Sequence, residues 1–142
     1  MTKQLITALT GDEIADILYM NYDGNHKQEL HLHRDDRMYN LLTKKDEKIL
    51  RTALLPVRML PYKPELRDCD DYAHFAAAMQ RLILPGRAFG RCDAEGFGHV
   101  NGAFHALNFW INQNQEIVFY EPQSNKIIEA DLNALSHVTF YI

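Results

Sequence analysis

The sequence predicts an α+β protein, in which N-terminal helices pack on an antiparallel sheet formed by the C-terminal half. Up to about residue 85, apolar residues recur with helical spacing after capping residues. Beyond that point, short runs rich in aromatic and β-branched residues are separated by glycines, which is typical of strands and turns. A length of 142 residues with 46% hydrophobic content favours one domain, with a helical part over about 1–85 and a sheet part over about 86–142.

Two helices are predicted before the middle of the chain, each from the spacing of its capping residues. Thr10 followed three positions later by Glu13 has the spacing of a capping box and precedes an amphipathic run. Thr43 followed by Asp46 has the same spacing and introduces a second helix, which ends before Pro56. Both helices are therefore predicted from their first turn as well as from their apolar stripe.

The third predicted helix begins at a cysteine that is surrounded by acidic residues. Asp68 is a good N-cap, and the helical spacing of apolar residues starts at Cys69. A thiol at a helix N-terminus lies near free backbone amides and the positive end of the dipole, which favours a nucleophilic thiolate. The carboxylates of Asp68, Asp70 and Asp71 oppose that negative charge. Cys69 is therefore either an inert small apolar residue or a nucleophile with a cationic partner elsewhere in the chain.

Strand candidates occur on both sides of this helix. Those that precede it are short extended runs separated by a charged turn, at 29–32 and 38–42. The clearest pair follows it and forms a hairpin through a polar turn at 112–115, with strands over 102–111 and 116–121. The remaining candidates are glycine-punctuated or short, at 87–92, 93–101, 127–128 and 138–142.

The hairpin places a histidine and a carboxylate on one face. Alternation puts His105 on the same face of its strand as Leu107, and Glu121 on the same face of the returning strand as Phe119. Folding about the turn brings His105 opposite Glu121, within about one residue. An acid on an apolar face is costly to bury without a partner, so the two residues are either a base with its orienting carboxylate or two separate rim residues. Together with Cys69 they form the combination of nucleophile, base and orienting acid that activates a catalytic thiol.

Composition excludes several classes of function. The net charge of -4 and the scattered Lys and Arg residues argue against a nucleic-acid partner. No apolar run approaches the roughly 20 residues that span a bilayer, and the first residues lack a signal-peptide pattern, so a cytoplasmic protein without a membrane partner is expected. Two cysteines, Cys69 and Cys92, are too few for a disulfide framework and lack metal-ligand spacing.

Three short motifs together resemble a known family. They are Asp-Cys-Asp-Asp-Tyr-Ala at 68–73, His-Ala-Leu-Asn at 105–108 and Glu-Pro-Gln at 121–123. From about Pro56 to the C-terminus the chain resembles the calcium-dependent, papain-like cysteine protease domain of the Marasmius oreades agglutinin family. The resemblance implies a papain-like fold with Cys69 as nucleophile, His105 as general base and Glu121 where papain has asparagine.

The same resemblance implies a metal and a substrate. Family members hold calcium, or manganese, with carboxylates beside the cysteine and with the glutamine after the Glu-Pro pair, which are Asp70, Asp71 and Gln123 here. A divalent cation would offset the acids around the thiol, and oxygen ligands suit calcium. The alternative for both aspartates is a solvated first helical turn. The oxyanion glutamine of papain is replaced by Lys63, so Tyr62, Lys63 or Arg67 could substitute, or the backbone amides act alone.

Three functional hypotheses follow from these observations. The leading one is a divalent-cation-dependent cysteine hydrolase or peptidase that forms an acyl-enzyme at Cys69 with a peptide or protein substrate. The second is a transglutaminase-like acyltransferase or an amidase with the same three residues. The third is a catalytically silent binding or dimerisation module, for example a homodimer, on the same scaffold.

Overall fold

The computed structural model describes residues 6–21, 30–34, 37–64 and 68–142. Three α-helices and eight strands are found in this part of the chain. The helices are α1 (Gly11–Met20), α2 (Lys44–Ala53) and α3 (Cys69–Ile83). The strands are β1 (Ala8–Thr10), β2 (His31–His33), β3 (Met38–Asn40), β4 (Phe89–Glu95), β5 (His105–Ile111), β6 (Ile117–Glu121), β7 (Lys126–Ile128) and β8 (Ser136–Tyr141). Short 3-10 turns lie at Leu55–Met59, Gly98–Val100 and Leu132–Ala134.

The strands form two sheets, of which the larger carries the candidate site. Its order is β2-β8-β4-β5-β6-β7, and the smaller sheet pairs β1 with β3. In the larger sheet β2 runs parallel to β8, whereas the other neighbours are antiparallel. β5 lies between β4 and β6 and is buried along its whole length.

The expected fold class, N-terminal helices packed on an antiparallel C-terminal sheet, is wrong. Strands outnumber helices in the described residues, the N-terminal half contributes three of them, and the large sheet is mixed because β2 joins it in parallel. A strand of three residues shows too little alternation to reveal its partner, and the pairing of His31–His33 with the far end of the chain is a purely tertiary contact. The prediction of a single domain over 1–142 remains a prediction.

All three helices begin where the capping residues predict. The Thr10 hydroxyl accepts from the Glu13 amide (3.2 Å), and the Glu13 carboxylate accepts from the Thr10 amide (2.7 Å). Thr43 and Asp46 make the same reciprocal pair, at 3.0 Å in both directions. These bonds satisfy amides that the first turn of a helix leaves without partners.

The two faces of the large sheet bury separate clusters. Leu107 and Phe109 point into the first cluster, with α1, whereas Trp110 points into the second, with α2 and α3. Alternating residues of β5 therefore contact opposite halves of the core, which explains why the strand has no exposed position.

One buried side chain sets the position of α3 on the sheet. The Asn108 amide donates to the backbone carbonyls of Ala73 (2.9 Å) and Gly90 (3.1 Å). Ala73 is one turn into α3 and Asn108 is three residues into β5, so the first residues of the helix and of the strand lie side by side. This contact brings Cys69 next to His105.

Candidate functional site

The candidate nucleophile occupies the first position of α3, as predicted. Cys69 is half-buried and Cys92 is fully buried, and neither forms a disulfide. The Asp71 carboxylate accepts from the Asp68 amide at 3.3 Å, which closes the first turn around the thiol. The Asp71 amide is bound in turn by the Asp68 side chain, and the Tyr72 amide by the Asp68 carbonyl. The Asp70 carboxylate also accepts from backbone amides of this turn, so the amide that stays available to a ligand oxygen is that of Cys69.

His105 and Glu121 form a direct, buried pair. Nε2 of His105 lies 2.5 Å from Oε2 of Glu121, and the two residues are only 6% and 4% exposed. The predicted contact on one face is therefore confirmed, but the predicted register is wrong by two residues, because Leu107 and not His105 lies directly opposite Glu121. Asn108 pairs with Tyr120, so His105 reaches Glu121 diagonally along the shared face rather than straight across.

The protonation of this pair follows from its contacts. Burial alone would lower the pKa of His105, but hydrogen bonds to Cys69 and Glu121 and the charge of Glu121 raise that pKa to about 9. Burial would raise the pKa of Glu121, but hydrogen bonds from His105 and His99 lower it. At neutral pH the pair is therefore an imidazolium and a carboxylate, with the imidazolium hydrogen-bonded to the Cys69 thiol.

A second histidine, His99, contacts the same carboxylate from the glycine-rich loop between β4 and β5. Its Nε2 lies 2.9 Å from Oε2 of Glu121, and its ring meets that of His105 edge-on at 5.2 Å. The loop is held by buried Phe97, whose carbonyl accepts from the Gly102 amide at 3.1 Å. The position of His99 depends on how this loop folds back over the sheet. No alternation or helical spacing of apolar residues around His99 could therefore have predicted its contact with Glu121.

The acidic residues at the start of α3 form a compact group. Oxygen atoms of Asp68, Asp70 and Asp71 lie within 4.8 Å of one another. A hydrogen bond between the Asp68 and Asp70 carboxyl groups raises the pKa of Asp68 and lowers the pKa of Asp70. Such crowded carboxylate oxygens suit a hard cation such as calcium.

The other residues that the resemblance implies are placed only in part. Gln123 donates its backbone amide to Oε1 of Glu121 at 3.1 Å, which holds the carboxylate from the side opposite to the two histidines. Tyr62 is exposed, and Arg67 lies outside the described residues. The assignment of Asp70, Asp71 and Gln123 to calcium or manganese therefore remains a prediction, as do the roles of Cys69, His105 and Glu121.

A separate cleft of about 390 Å³ lies between α3 and the β4–β8 side of the sheet. Arg91 lies within it, 2.9 Å from Asp93 and 4.3 Å from the ring centroid of Tyr141. His74 contacts Arg91 here, one turn beyond the thiol, so it does not belong to the Cys69 cluster. The cleft is lined by His33, His74, Arg81, Arg91, Phe89 and Tyr141 among others.

The fold has counterparts among solved structures. A structure described as a PSL1a complex with E64 covers 96% of this chain with a TM-score of 0.74 and 18% identity. A second, described as Polyporus squamosus lectin bound to the human-type influenza-binding epitope Neu5Aca2-6Galb1-4GlcNAc, covers 94% with a TM-score of 0.68 and 18% identity. The chain shares the fold of this lectin. It spans about half the length of the Polyporus squamosus lectin chains, 51% and 50%. No protein-family profile and no curated protein matches it.

The likeness to the Polyporus squamosus lectin corrects the family resemblance and what it implied. The neighbours are lectin structures, and neither description names a protease, so the papain-like protease fold and the cysteine hydrolase or peptidase function are not retained. The peptide or protein substrate falls with them, since the named epitope is a glycan. The error has a physical reason: short Cys, His and Glu motifs report a local arrangement that recurs on unrelated folds.

Within the described ranges, no helix combines the length and the apolar composition that crossing a membrane requires.

Proposed function

We propose that this chain is a ligand-binding module, and that its binding site is the cluster of Cys69, His105 and Glu121. The observation that carries the proposal is the buried His105–Glu121 pair, at 2.5 Å, hydrogen-bonded to a half-exposed thiol. Burying two charged groups costs several kcal/mol of desolvation, and a hydrophobic pair of the same size would stabilise the fold at least as well. A polar cluster in this position is therefore better explained by binding than by stability.

The chemistry of the cluster indicates the kind of ligand. The positive end of the α3 dipole attracts a carbonyl oxygen, and the imidazolium of His105 supports negative charge on the sulfur. A ligand with a carbonyl oxygen and an electrophilic carbon that carries a leaving group would satisfy both features. The thiolate then forms the sulfur–carbon bond while the bond to the leaving group breaks and that group departs with its electron pair. The description of a structural neighbour as an E64 complex supports the view that this fold accommodates a small ligand.

Alkylation kinetics test this site directly. Iodoacetamide transfers its carboxamidomethyl group to a thiolate and releases iodide, so mass spectrometry of peptides can follow both cysteines separately. We expect Cys69 to react at least about tenfold faster than Cys92 at neutral pH, because burial raises the pKa of the Cys92 thiol and excludes the reagent. His105→Gln should slow Cys69, whereas His31→Gln, on the edge strand β2, should not.

The binding itself needs a second measurement. E64 and a panel of small carboxylic acids are titrated into the wild-type chain and into Cys69→Ala and His105→Gln variants. Binding that both substitutions weaken would support the site. Equal, slow alkylation of the two cysteines, together with unchanged binding in His105→Gln, would contradict the proposal.

Glycan binding is a second candidate, favoured by the epitope that the description of the Polyporus squamosus lectin names. The basic cleft beside Tyr141 offers an aromatic ring and arginine groups, a combination that suits an acidic sugar. The test is calorimetry with the same trisaccharide, using Arg91→Gln as the variant and Arg58→Gln as a matched control. Binding that Arg91→Gln does not weaken would exclude the cleft as the glycan site.

A further inference from the structure

We propose that His99, His105 and Glu121 together form a binding site for a zinc ion or a similar divalent transition metal. One ligand atom from each residue, two imidazole nitrogens and a carboxylate oxygen, lies within 4.8 Å of the other two. This set differs in position and chemistry from the acidic group at the start of α3, which contains only oxygen ligands.

The geometry requires only a small adjustment to take a metal ion. Both histidines direct Nε2 at one oxygen of Glu121, from 2.9 Å for His99 and 2.5 Å for His105. In a tetrahedral zinc site the bonds are about 2.0–2.2 Å, which separates neighbouring ligand atoms by roughly 3.3 Å. The carboxylate therefore has to move away from the rings by about 0.5–1 Å. Zinc would then take the place of the Nε2 protons that now lie between the two rings and Glu121, and these protons pass to water.

The identity of the ligands selects the metal. Imidazole nitrogen favours zinc, copper and nickel over calcium and magnesium, which take oxygen ligands. Two histidines and one glutamate supply three of the four ligands of a tetrahedral site and leave the fourth position open to water or a ligand. The Gln123 amide holds the other oxygen of Glu121 at 3.1 Å, which keeps the carboxylate oriented during the exchange.

Burial makes the site more than a chance surface cluster. His105 and Glu121 are buried, whereas the His99 side chain is 25% exposed and forms the rim. A metal ion can therefore enter from the His99 side and reach two buried ligands. Once bound, zinc separates Nε2 of His105 from the Glu121 carboxylate. The ring that faces the Cys69 thiol is then a neutral, zinc-bound imidazole instead of an imidazolium.

Calorimetric titration of zinc into the full chain tests the inference. We expect one site in the wild type, an affinity at least about tenfold weaker in His99→Gln, and an affinity within about twofold of the wild type in His31→Gln. The control matters because His31 and His33 lie two apart on an edge strand and can themselves bind zinc weakly. Magnesium at the same concentration should show no comparable binding.

The outcomes separate this inference from the proposed function. Zinc affinity that is unchanged in His99→Gln, or lost in His31→Gln, would overturn the zinc site whatever the reactivity of Cys69. Conversely, if Cys69 proves unreactive and the proposed function fails, the zinc titration still decides whether the metal site exists. If His99→Gln does not fold, which circular dichroism would show, His99→Ala serves as the second variant. In the wild type, saturating zinc should also slow alkylation of Cys69 several-fold, and His99→Gln should remove that effect.

Discussion

His99 and His105 converge on a single oxygen atom of Glu121, at 2.9 Å and 2.5 Å. The carboxylate thus joins a loop to two adjacent strands, and its second oxygen accepts from the Gln123 backbone. Three donors thus occupy most of the roughly four acceptor sites of this buried carboxylate. Its charge is therefore held in one place, next to the imidazole that contacts Cys69.

The stability of the protein should depend on pH through this pair. The pKa of His105 is raised from 6.5 to about 9, so its stabilising contribution is complete below pH 6.5 and is lost as the pH rises through about 9. The pKa of Glu121 is lowered from 4.5, so its contribution is complete above pH 4.5 and is lost as the pH falls below that value. Thermal unfolding should show the largest difference in Tm between wild type and His105→Gln at pH 4.5–6.5. A difference that grows above pH 9 would contradict the assignment.

Calcium should raise the Tm if the acidic group at the start of α3 binds it. A ligand at 100 times its dissociation constant stabilises the folded state by about 2.7 kcal/mol. Asp70→Asn should remove most of that increase, because its carboxyl crowds against Asp68 there. Asp70 is the better choice than Asp71, whose carboxylate also closes the first turn of the helix. Asp16→Asn on α1 is the control, and a calcium effect that survives Asp70→Asn would remove Asp70 from the metal site.

Two glycine-to-alanine substitutions should differ strongly in their effect on stability, because one glycine packs against a neighbouring strand and the other lies in an open loop. A Cβ on Gly90 would lie 1.9 Å from the backbone oxygen of Tyr141, whereas a Cβ on Gly98 would meet nothing within 4 Å. Gly90→Ala must push β4 and β8 apart and should cost about 3 kcal/mol or more of unfolding free energy. Gly98→Ala should change it by less than about 1 kcal/mol. Chemical denaturation of both variants measures the difference, and equal values would show that the strands separate easily.

The local parts of this structure could be predicted because short-range hydrogen bonds decide them. The capping pairs Thr10–Glu13 and Thr43–Asp46 form as their spacing predicts, and α3 begins at Cys69. Alternation along the two strands of the hairpin was enough to place His105 and Glu121 on one face. Their exact register was not, because a turn of uncertain type shifts the pairing by one or two residues.

By itself, the sequence determined the starts of the helices, the hairpin and the placing of a histidine and a glutamate on one face of it. Only the tertiary structure decided that β2 pairs with β8, that Asn108 holds the start of α3 beside β5, and that His99 reaches Glu121. Those contacts join residues far apart in the chain, and their energy comes from burial and from satisfying polar groups that no local pattern identifies. The likeness to the Polyporus squamosus lectin belongs to the same level, because a fold is an arrangement of elements rather than a property of any motif.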